Sequence, residues 1–364
     1  MISKAKPGQN ASINSENEFM DKLEKKQKEW MKEALTSASK NWQSPHPKFN
    51  EITRMPQLLY ELVTESLNDA SAISKNLAEK VLIDSLQNVI DFSQDYHEAI
   101  MDFKMKFFQD RSRLKFCSFT NIMMAIMNSL EDFKILVDDL KTVKLIKGIE
   151  SSSTNLEQIL YIIVSLRADI ANILVDEMFL DIEPHFEKIM TSDWEFETEA
   201  IDILITTVAD YFLDYKKIAD QELISSICYE RLAIRYIYSL VKPPKNVLTS
   251  RITIKNQQQC EDLAQKVSKE VEQIKCFFRK VRGEITNFDV YFRIIDSLLV
   301  ELRNPEAKVN LKNYKYVDKY MAALVEANPD LSHDIDLCIL KIKDNKVRYF
   351  FTKIKPNILR LINI

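Results

Sequence analysis

The chain has 364 residues, of which 46% are apolar, 29% are charged and only 3 are glycines, and its formal net charge is -4. Glycine is the usual residue in tight turns and phosphate-binding loops, so this composition argues against strand-rich folds and nucleotide-binding loops. The slightly acidic balance argues against a nucleic-acid-binding protein, which usually has a strong basic excess.

Residues 1–50 are predicted to form a polar tail with one amphipathic helix and a linker. Residues 1–15 are polar and are expected to be disordered, whereas residues 16–38 carry a sparse apolar stripe. Pro45 and Pro47 then indicate the linker. The segment has no apolar core like that of a signal peptide, and no later stretch approaches the roughly 20 uncharged apolar residues that span a bilayer. We therefore expect a cytoplasmic protein.

Residues 51–242 are predicted to form a first region of helical bundles. Pro56 suits the first turn of a very long helix, because apolar residues recur at steps of three and four through Phe107. A turn is expected near residues 112–115, and a second helix over residues 116–143.

A third helix is expected after the serine-rich turn that follows. Ser153 or Thr154 is predicted to cap it, and it should run to Asp181. Pro184 is expected to kink or restart it, and Trp194 is expected in the next turn. Later helices are predicted over residues 197–217, 221–241, 256–282, 288–303, 312–327 and 331–341. Those after residue 242 would form a C-terminal helical bundle, residues 243–364, so that the fold class is all-α.

Charge is distributed unevenly along the chain. Residues 176–214 contain twelve aspartates and glutamates against the single Lys188, and residues 341–364 contain seven lysines and arginines against the single Asp344. Solvated helix faces are the plainer interpretation. The alternative is that the two charged ends orient the protein on a partner or on an anionic membrane surface.

The spacing of reactive residues predicts no catalytic, cofactor or metal site. The five cysteines are scattered and are expected to be reduced thiols, and the four histidines are far apart. Asp138 and Asp139 lack the third carboxylate of an aspartate-rich magnesium motif and are expected to face solvent. Asp330 stands three residues before His333, which is a pattern typical of a helix N-terminus. A helical enzyme remains a remote alternative.

Two clusters are candidate contact surfaces. Met123, Met124 and Met127 are expected to be buried beside isoleucines rather than to form a pliable binding face. The run Phe277-Phe278-Arg279-Lys280-Val281-Arg282 mixes rings and cations. It would bind anionic headgroups or an acidic partner, or its cations would complement the helix dipole while the phenylalanines pack inward. The candidate contact residues are Arg279, Lys280, Arg282, Lys353, Lys355 and Arg360.

Four segments carry a family resemblance. The most informative is residues 178–218, MFLDIEPHFEKIMTSDWEFETEAIDILITTVADYFLDYKKI, and the others are residues 73–96, 270–282 and 324–345. The first contains an acidic and apolar block whose matching positions are Phe179, Leu180, Asp181, Trp194, Asp202, Asp210, Tyr211 and Phe212. In order and spacing these segments resemble the exocyst complex component three family, which includes a tumour-necrosis-factor-induced paralogue associated with membrane nanotubes.

The resemblance implies a fold and a set of partners. It implies the C-terminal half of a tethering subunit, built as an elongated rod of stacked helical bundles with CATCHR-like architecture and without the N-terminal coiled-coil region. It implies a non-catalytic exocyst subunit that docks secretory vesicles at the plasma membrane before SNARE-mediated fusion. Its partners would be other exocyst subunits, SNARE proteins and anionic plasma-membrane lipids, with no nucleic acid, cofactor or small-molecule substrate. An exocyst-independent membrane-shaping protein of the same family is the alternative.

Overall fold

The computed structural model describes residues 7–110, 119–142, 150–191, 194, 199–241, 257–282 and 292. The regular elements in these ranges are all α-helices, which confirms the predicted all-α class. In chain order they are α1 Pro7–Trp42, α2 Phe49–Thr53, α3 Met55–Ile73, α4 Lys75–Gln109, α5 Phe119–Thr142, α6 Glu150–Phe186, α7 Glu199–Tyr215, α8 Gln221–Val241 and α9 Gln257–Arg282.

The first helix is longer than the sequence predicted. It begins at Pro7, so residues 7–15, which were expected to be disordered, lie within α1. Proline is tolerated at the first helical position because its missing N–H would have no partner there. At the other end, Trp42 is only 1% exposed and packs edge-on against Tyr96 of α4, with ring centroids 5.5 Å apart. Burial of this indole explains why α1 continues beyond residue 38.

The very long helix predicted after Pro56 is two helices, and this prediction was wrong at Ser74. Ser74 has an extended backbone (φ -159, ψ 152), and its hydroxyl accepts a hydrogen bond from the Leu77 N–H at 3.1 Å. Its own N–H donates to the Ala70 carbonyl at 3.0 Å. Ser74 therefore ends α3 and caps α4, although the sequence has no glycine or proline there that would indicate a break between two helices.

The helix α6 also departs from its predicted bounds. It begins at Glu150, so Thr154 lies inside the helix instead of capping it. It passes through Pro184 and ends at Phe186, so the proline does not restart it. Proline has no N–H to donate to the carbonyl four residues earlier, and at Pro184 this missing bond falls in the last turn, where the helix ends two residues later. Met190, with φ of 65°, lies in the turn that follows.

Three of the later helix predictions agree with the structure. Helices predicted over residues 197–217, 221–241 and 256–282 correspond to α7, α8 and α9. Met123, Met124 and Met127 are buried, as predicted, and Asp138 and Asp139 are exposed. The helices predicted over residues 288–303, 312–327 and 331–341 lie outside the described ranges, apart from Phe292.

The contacts divide the chain into two units. Unit 1 contains residues 1–174 and 215–221, and unit 2 contains residues 175–214 and 222–364. The boundaries predicted at residues 50 and 242 remain predictions.

In unit 1, α4 packs against α1 and α3, while α5 packs against α2 and α3. Its core is rich in aromatic rings, and Phe107 stacks on Phe119 with centroids 3.8 Å apart. A buried amide network joins three of these helices. The Gln27 side chain, 1% exposed, donates to the hydroxyls of Ser66 and Ser85, each at 2.9 Å. Asn88 donates to the Gln27 carbonyl oxygen at 2.9 Å.

The core of unit 2 contains the inward faces of α7, α8 and α9. Phe278 is fully buried and lies edge-on to Tyr229 of α8, with centroids 5.0 Å apart. The Phe212 ring of α7 also lies edge-on to Phe278, with centroids 6.2 Å apart, and Phe292 packs on Tyr229 with centroids 5.8 Å apart. These rings position the C-terminal end of α9, which carries the predicted contact residues.

Candidate functional site

The last turns of α9 carry the cations that the sequence singled out. Arg279 and Lys280 are exposed there, and Arg279 Nη1 contacts Glu272 Oε1 at 2.8 Å. Phe278 is buried and Phe277 is half-buried, so the phenylalanines pack inward while the cations face solvent. Positive charge at a helix C-terminus is favoured by the helix dipole, which gives these residues a local structural reason to be there.

The structure brings together only part of the predicted contact set. Arg279 and Lys280 lie on one helix end, and Arg282 is the last residue of that helix. The side chain of Arg282 is outside the described set, as are Lys353, Lys355 and Arg360.

A buried polar cluster in unit 2 was missed by sequence reasoning. Glu270 of α9 is 4% exposed and accepts hydrogen bonds from the Trp194 indole N–H at 3.0 Å and from the Tyr236 hydroxyl at 2.7 Å. Lys266 donates to the Trp194 carbonyl and lies 4.7 Å from the centre of its ring. Burial raises the pKa of Glu270, although its two donors and Lys266 act in the opposite direction. The cluster fixes Trp194 on α9.

The sequence did contain a signal for this cluster. Glu270 lies between Val267, Val271 and Ile274, which form the buried stripe of α9. A carboxylate at that helical position must find donors inside the protein, because burying it without them is strongly unfavourable.

Two arginines of α8 bind acidic residues of the 176–214 block. Arg231 pairs with Asp176, and Arg235 Nε donates to Glu183 Oε2 at 2.9 Å. Part of the negative charge in this block therefore holds α6 against α8. This role differs from both interpretations of the block, which were solvated helix faces and orientation on a partner.

Unit 1 has its own polar anchors. The Asn128 side chain donates to the Lys217 carbonyl at 2.9 Å and accepts from the Ala219 N–H at 3.0 Å. Arg167, 7% exposed, pairs with Glu131 and with Asp220 at 2.9 Å. Together these side chains fix the turn between α7 and α8.

Within the described ranges, no group of three or more histidine, cysteine, aspartate or glutamate side chains could hold a metal ion. His97 contacts Asp169 at 3.1 Å. His185 has a lowered pKa because of burial and the nearby Lys188. Cys228 is buried, which raises its thiol pKa, and Cys276 is exposed; both are free thiols.

An apolar void of about 20 Å³ lies in unit 1 between α3, α4, α5 and α6. Leu59, Tyr96, Phe133 and Leu166 are among its lining residues. Its volume is close to that of a single water-sized sphere, so it is a packing void and not a substrate site.

Among the described helices, α6 alone is long and apolar enough to cross a membrane. Residues 152–186 of α6 contain a window with a mean hydropathy of 1.6, and half of that window is buried inside the protein. The helix also carries the buried and ion-paired Arg167 near its middle. These features are typical of a core helix, which meets the same criteria of length and composition.

Comparison with known proteins gives a family match over most of the chain. The family model described as "Exocyst complex component Sec6" matches residues 12–346. Exocyst complex component 3 of Drosophila melanogaster is 27% identical over 289 residues, which cover 78% of this chain and 38% of that protein. An exocyst complex component 3-like protein of Danio rerio is 18% identical over 90% of this chain and 41% of its own length. The chain thus spans about two fifths of these relatives.

Two solved structures share the fold. The C-terminal domain of the exocyst subunit Sec6p matches with a TM-score of 0.69 and 11% identity, over 98% of this chain and 95% of that one. M-Sec matches with a TM-score of 0.63 and 19% identity, over 94% of this chain and 55% of its own. At these identities the likeness shows a common helical-bundle fold.

Proposed function

Because this chain belongs to the exocyst complex component Sec6 family, we propose that it acts as a non-catalytic subunit of the exocyst and holds secretory vesicles at the plasma membrane before SNARE-mediated fusion. The observation that carries the proposal is the family match over residues 12–346, which includes both units. The fold shared with the C-terminal domain of Sec6p supports it.

The described contacts suit a binding role. Aromatic rings, the Gln27 network and the Glu270 cluster fill the spaces between helices with fixed packing. Within each unit, helices held in this way keep the outer surface of that unit in a constant shape, which is what a scaffold needs in order to bind partners. We propose other exocyst subunits and SNARE proteins as those partners, and a cytoplasmic location at the periphery of the plasma membrane and of secretory vesicles.

Affinity purification of the tagged chain from cells, followed by mass spectrometry, tests this proposal. Co-purification of several exocyst subunits in constant ratio is the expected result. The control is the tag expressed alone, which should recover none of these subunits. Recovery of the folded chain without exocyst subunits would contradict complex membership.

An exocyst-independent role in membrane shaping is the second candidate. The fold similarity to M-Sec favours it, although weakly, because both proteins could share the fold and differ in activity. The same purification separates the two, since a membrane-shaping protein of this kind would be recovered without the complex.

We further propose that the basic residues at the end of α9 and at the C-terminal tip contact anionic lipid. Arg279 and Lys280 are exposed, and each cation near an anionic surface contributes about 1 kcal/mol. With Arg282, Lys353, Lys355 and Arg360 they would attach the chain peripherally.

Co-sedimentation with phosphatidylserine-containing liposomes at low salt tests the lipid contact. Arg279→Gln/Lys280→Gln removes two cations and should therefore reduce binding by about 30-fold. Lys353→Gln/Lys355→Gln/Arg360→Gln should reduce it further. The matched control is Lys26→Gln/Lys32→Gln in α1, which removes the same charge from exposed positions elsewhere. Equal losses in the α9 variant and its control would refute a defined lipid-binding surface.

A further inference from the structure

The outward side of α6 in unit 1 is exposed although it carries no charge. Residues 158–166 contain no aspartate, glutamate, lysine or arginine. Tyr161 and Val164 in this stretch are 75% and 54% exposed. A surface helix usually presents charged side chains to solvent, and exposed apolar patches typically mark contact surfaces. This side of α6 is therefore a candidate for contact with another molecule.

The helix α5 runs beside this part of α6 in the opposite direction. Residues 143–149 connect the end of α5 to the beginning of α6, so the two helices are antiparallel. Glu131 of α5 pairs with Arg167 of α6, and side chains of both helices line the same apolar void. The ion pair is a fixed point from which positions on both helices can be measured.

Ile135 of α5 lies on the same outward surface as Val164. Measured from the ion pair at 100° per residue, Ile135 is about 40° around α5 and Val164 about 60° around α6. The buried Leu130 and Leu166 lie about 100° from it in the opposite sense. The 1.5 Å rise places Ile135 about 6 Å and Val164 about 4.5 Å from the ion pair in the same direction. Ile135 is 54% exposed. We define the α5–α6 face as Ile135, Tyr161 and Val164.

Opposite charges lie at the two ends of the face. Asp139 and Glu157 are exposed about 12 Å and 15 Å from the ion pair, beyond the apolar residues. Lys216 and Lys217 are exposed in the turn between α7 and α8, which Asn128 holds about 4.5 Å from the ion pair on the other side. The apolar residues therefore lie about midway between an acidic end and a basic end.

The other charges near the face leave this polarity in place. Lys134 Nζ lies 3.7 Å from Glu131 Oε1 on the same helix. Lys141 Nζ lies 3.3 Å from Asp138 Oδ1 in the same way. Each of these lysines thus offsets one neighbouring carboxylate. Asp132 is exposed near the middle of the face and favours neither end.

A surface with this arrangement is complementary to itself. A two-fold axis perpendicular to the apolar centre would set the acidic end of one copy on the basic end of another. The face measures about 25 Å by 20 Å, so two copies would bury about 1,000 Å² in total, which is the lower limit for a specific interface. An anionic membrane or a nucleic acid would instead be repelled by the acidic end.

We propose that the α5–α6 face is an interface between two copies of this chain. Ile135, Tyr161 and Val164 of each copy cover those of the other, and the charged ends set the orientation of the pair. This inference goes beyond the tethering role and does not rest on it, because two copies can associate whether or not the chain joins a larger complex.

Sedimentation velocity of the full chain at low salt measures the association. For an interface of this size we expect a dissociation constant of about 10–100 μM, so the measurement covers about 5–200 μM. Val164→Lys brings like charges together at the centre and should weaken association at least about tenfold. The matched control is Ile73→Lys at the end of α3, where the isoleucine is 58% exposed, and it should change association less than about twofold.

Two charge-reversal variants test the proposed orientation. The acidic variant is Lys216→Glu/Lys217→Glu, and the basic variant is Asp139→Lys/Glu157→Lys. Each variant alone sets like charges against each other at both ends and should associate about tenfold more weakly than the wild type. In an equimolar mixture every acidic end meets a basic end, so the mixture should associate at least as tightly as the wild type. Circular dichroism of every variant checks that the helices are intact.

Association of the wild type that is lost in Val164→Lys, kept in Ile73→Lys and restored by mixing the two charge variants supports the proposal. A wild type that is monomeric throughout the concentration range would overturn it, as would equal losses in Val164→Lys and Ile73→Lys. A mixture that associates no better than its separate components would overturn it too. Association of the mixture that persists when both components also carry Val164→Lys would overturn it, because it would show attraction between opposite net charges and not between the two faces.

Discussion

The Glu270 cluster allows a quantitative test of the packing in unit 2. Replacing Glu270 with alanine removes the acceptor of the Trp194 indole, at 3.0 Å, and of the Tyr236 hydroxyl, at 2.7 Å. Each buried donor left without an acceptor costs about 1–3 kcal/mol. Removing a buried carboxylate relieves part of its desolvation penalty, so we expect a net loss of about 2–4 kcal/mol.

Urea unfolding followed by circular dichroism gives the global change, and hydrogen exchange of peptides from α8 and α9 localises it to unit 2. Glu272→Ala, two residues away but exposed, is the matched control and should change stability by less than about 0.5 kcal/mol. If Glu270→Ala unfolds like the wild type and leaves exchange in α8 and α9 unchanged, the cluster does not stabilise unit 2 and the reasoning fails.

The pH dependence of the same residue has a definite sign. Burial raises the pKa of Glu270 in the folded chain, so the folded state holds this proton more tightly than the unfolded state does. The glutamate therefore stabilises most below its unfolded pKa of about 4.3 and loses that contribution as the pH rises through the folded value. Compared with Glu270→Gln, which does not titrate, the wild type should gain stability when the pH is lowered from 7 towards 4.5. A difference in unfolding free energy between the wild type and Glu270→Gln that does not change with pH would contradict the raised pKa.

Three further changes test unit 1. Gln27→Ala leaves Asn88 without its acceptor, so urea unfolding should show a loss of about 2–3 kcal/mol, whereas Gln87→Ala on the exposed side of α4 should cost almost nothing. Ser74→Ala removes the cap of α4 and should cost about 1 kcal/mol, with Ser74→Asp restoring it; no difference between the two variants would contradict the capping role. Asn128→Ala should increase hydrogen exchange at the Ala219 N–H, and protection equal to the wild type would show that this anchor is dispensable.

The all-α fold class and most helix positions could be predicted from the spacing of apolar residues. The periodic runs that became α7, α8 and α9 gave their bounds to within a few residues, because each is closed by polar or proline-containing sequence. The break at Ser74 was missed because a serine cap looks like any polar position in a helix, and the residues on both sides continue the apolar pattern. The restart considered at Pro184 does not occur, and the sequence could not show this because the effect of a proline depends on how near the helix end lies.

The candidate surface was predictable in part. The exposed positions of Arg279 and Lys280 and the inward packing of Phe278 follow from the amphipathic pattern of α9. The donors of Glu270 come from residues 76 and 34 positions away in the sequence, and no local pattern reports such contacts. The hydrogen bond between Asp181 of α6 and Tyr211 of α7 likewise joins residues that periodicity along one helix does not relate. The rod shape predicted from the family resemblance remains a prediction, which small-angle scattering would test.

The amide network around Gln27 allows α1 only one position along its neighbours. A slide of one helical turn, about 5.4 Å, would bring Leu23 or Met31 to the hydroxyls of Ser66 and Ser85 and leave Asn88 without its acceptor. Apolar packing alone would tolerate such a shift. The shift would, however, leave Ser66, Ser85 and Asn88 buried without their hydrogen bonds to Gln27, which is unfavourable. Over evolutionary time the four residues are consequently expected to change together, and a homologue that has lost the glutamine should have replaced its serines and asparagine with apolar side chains as well.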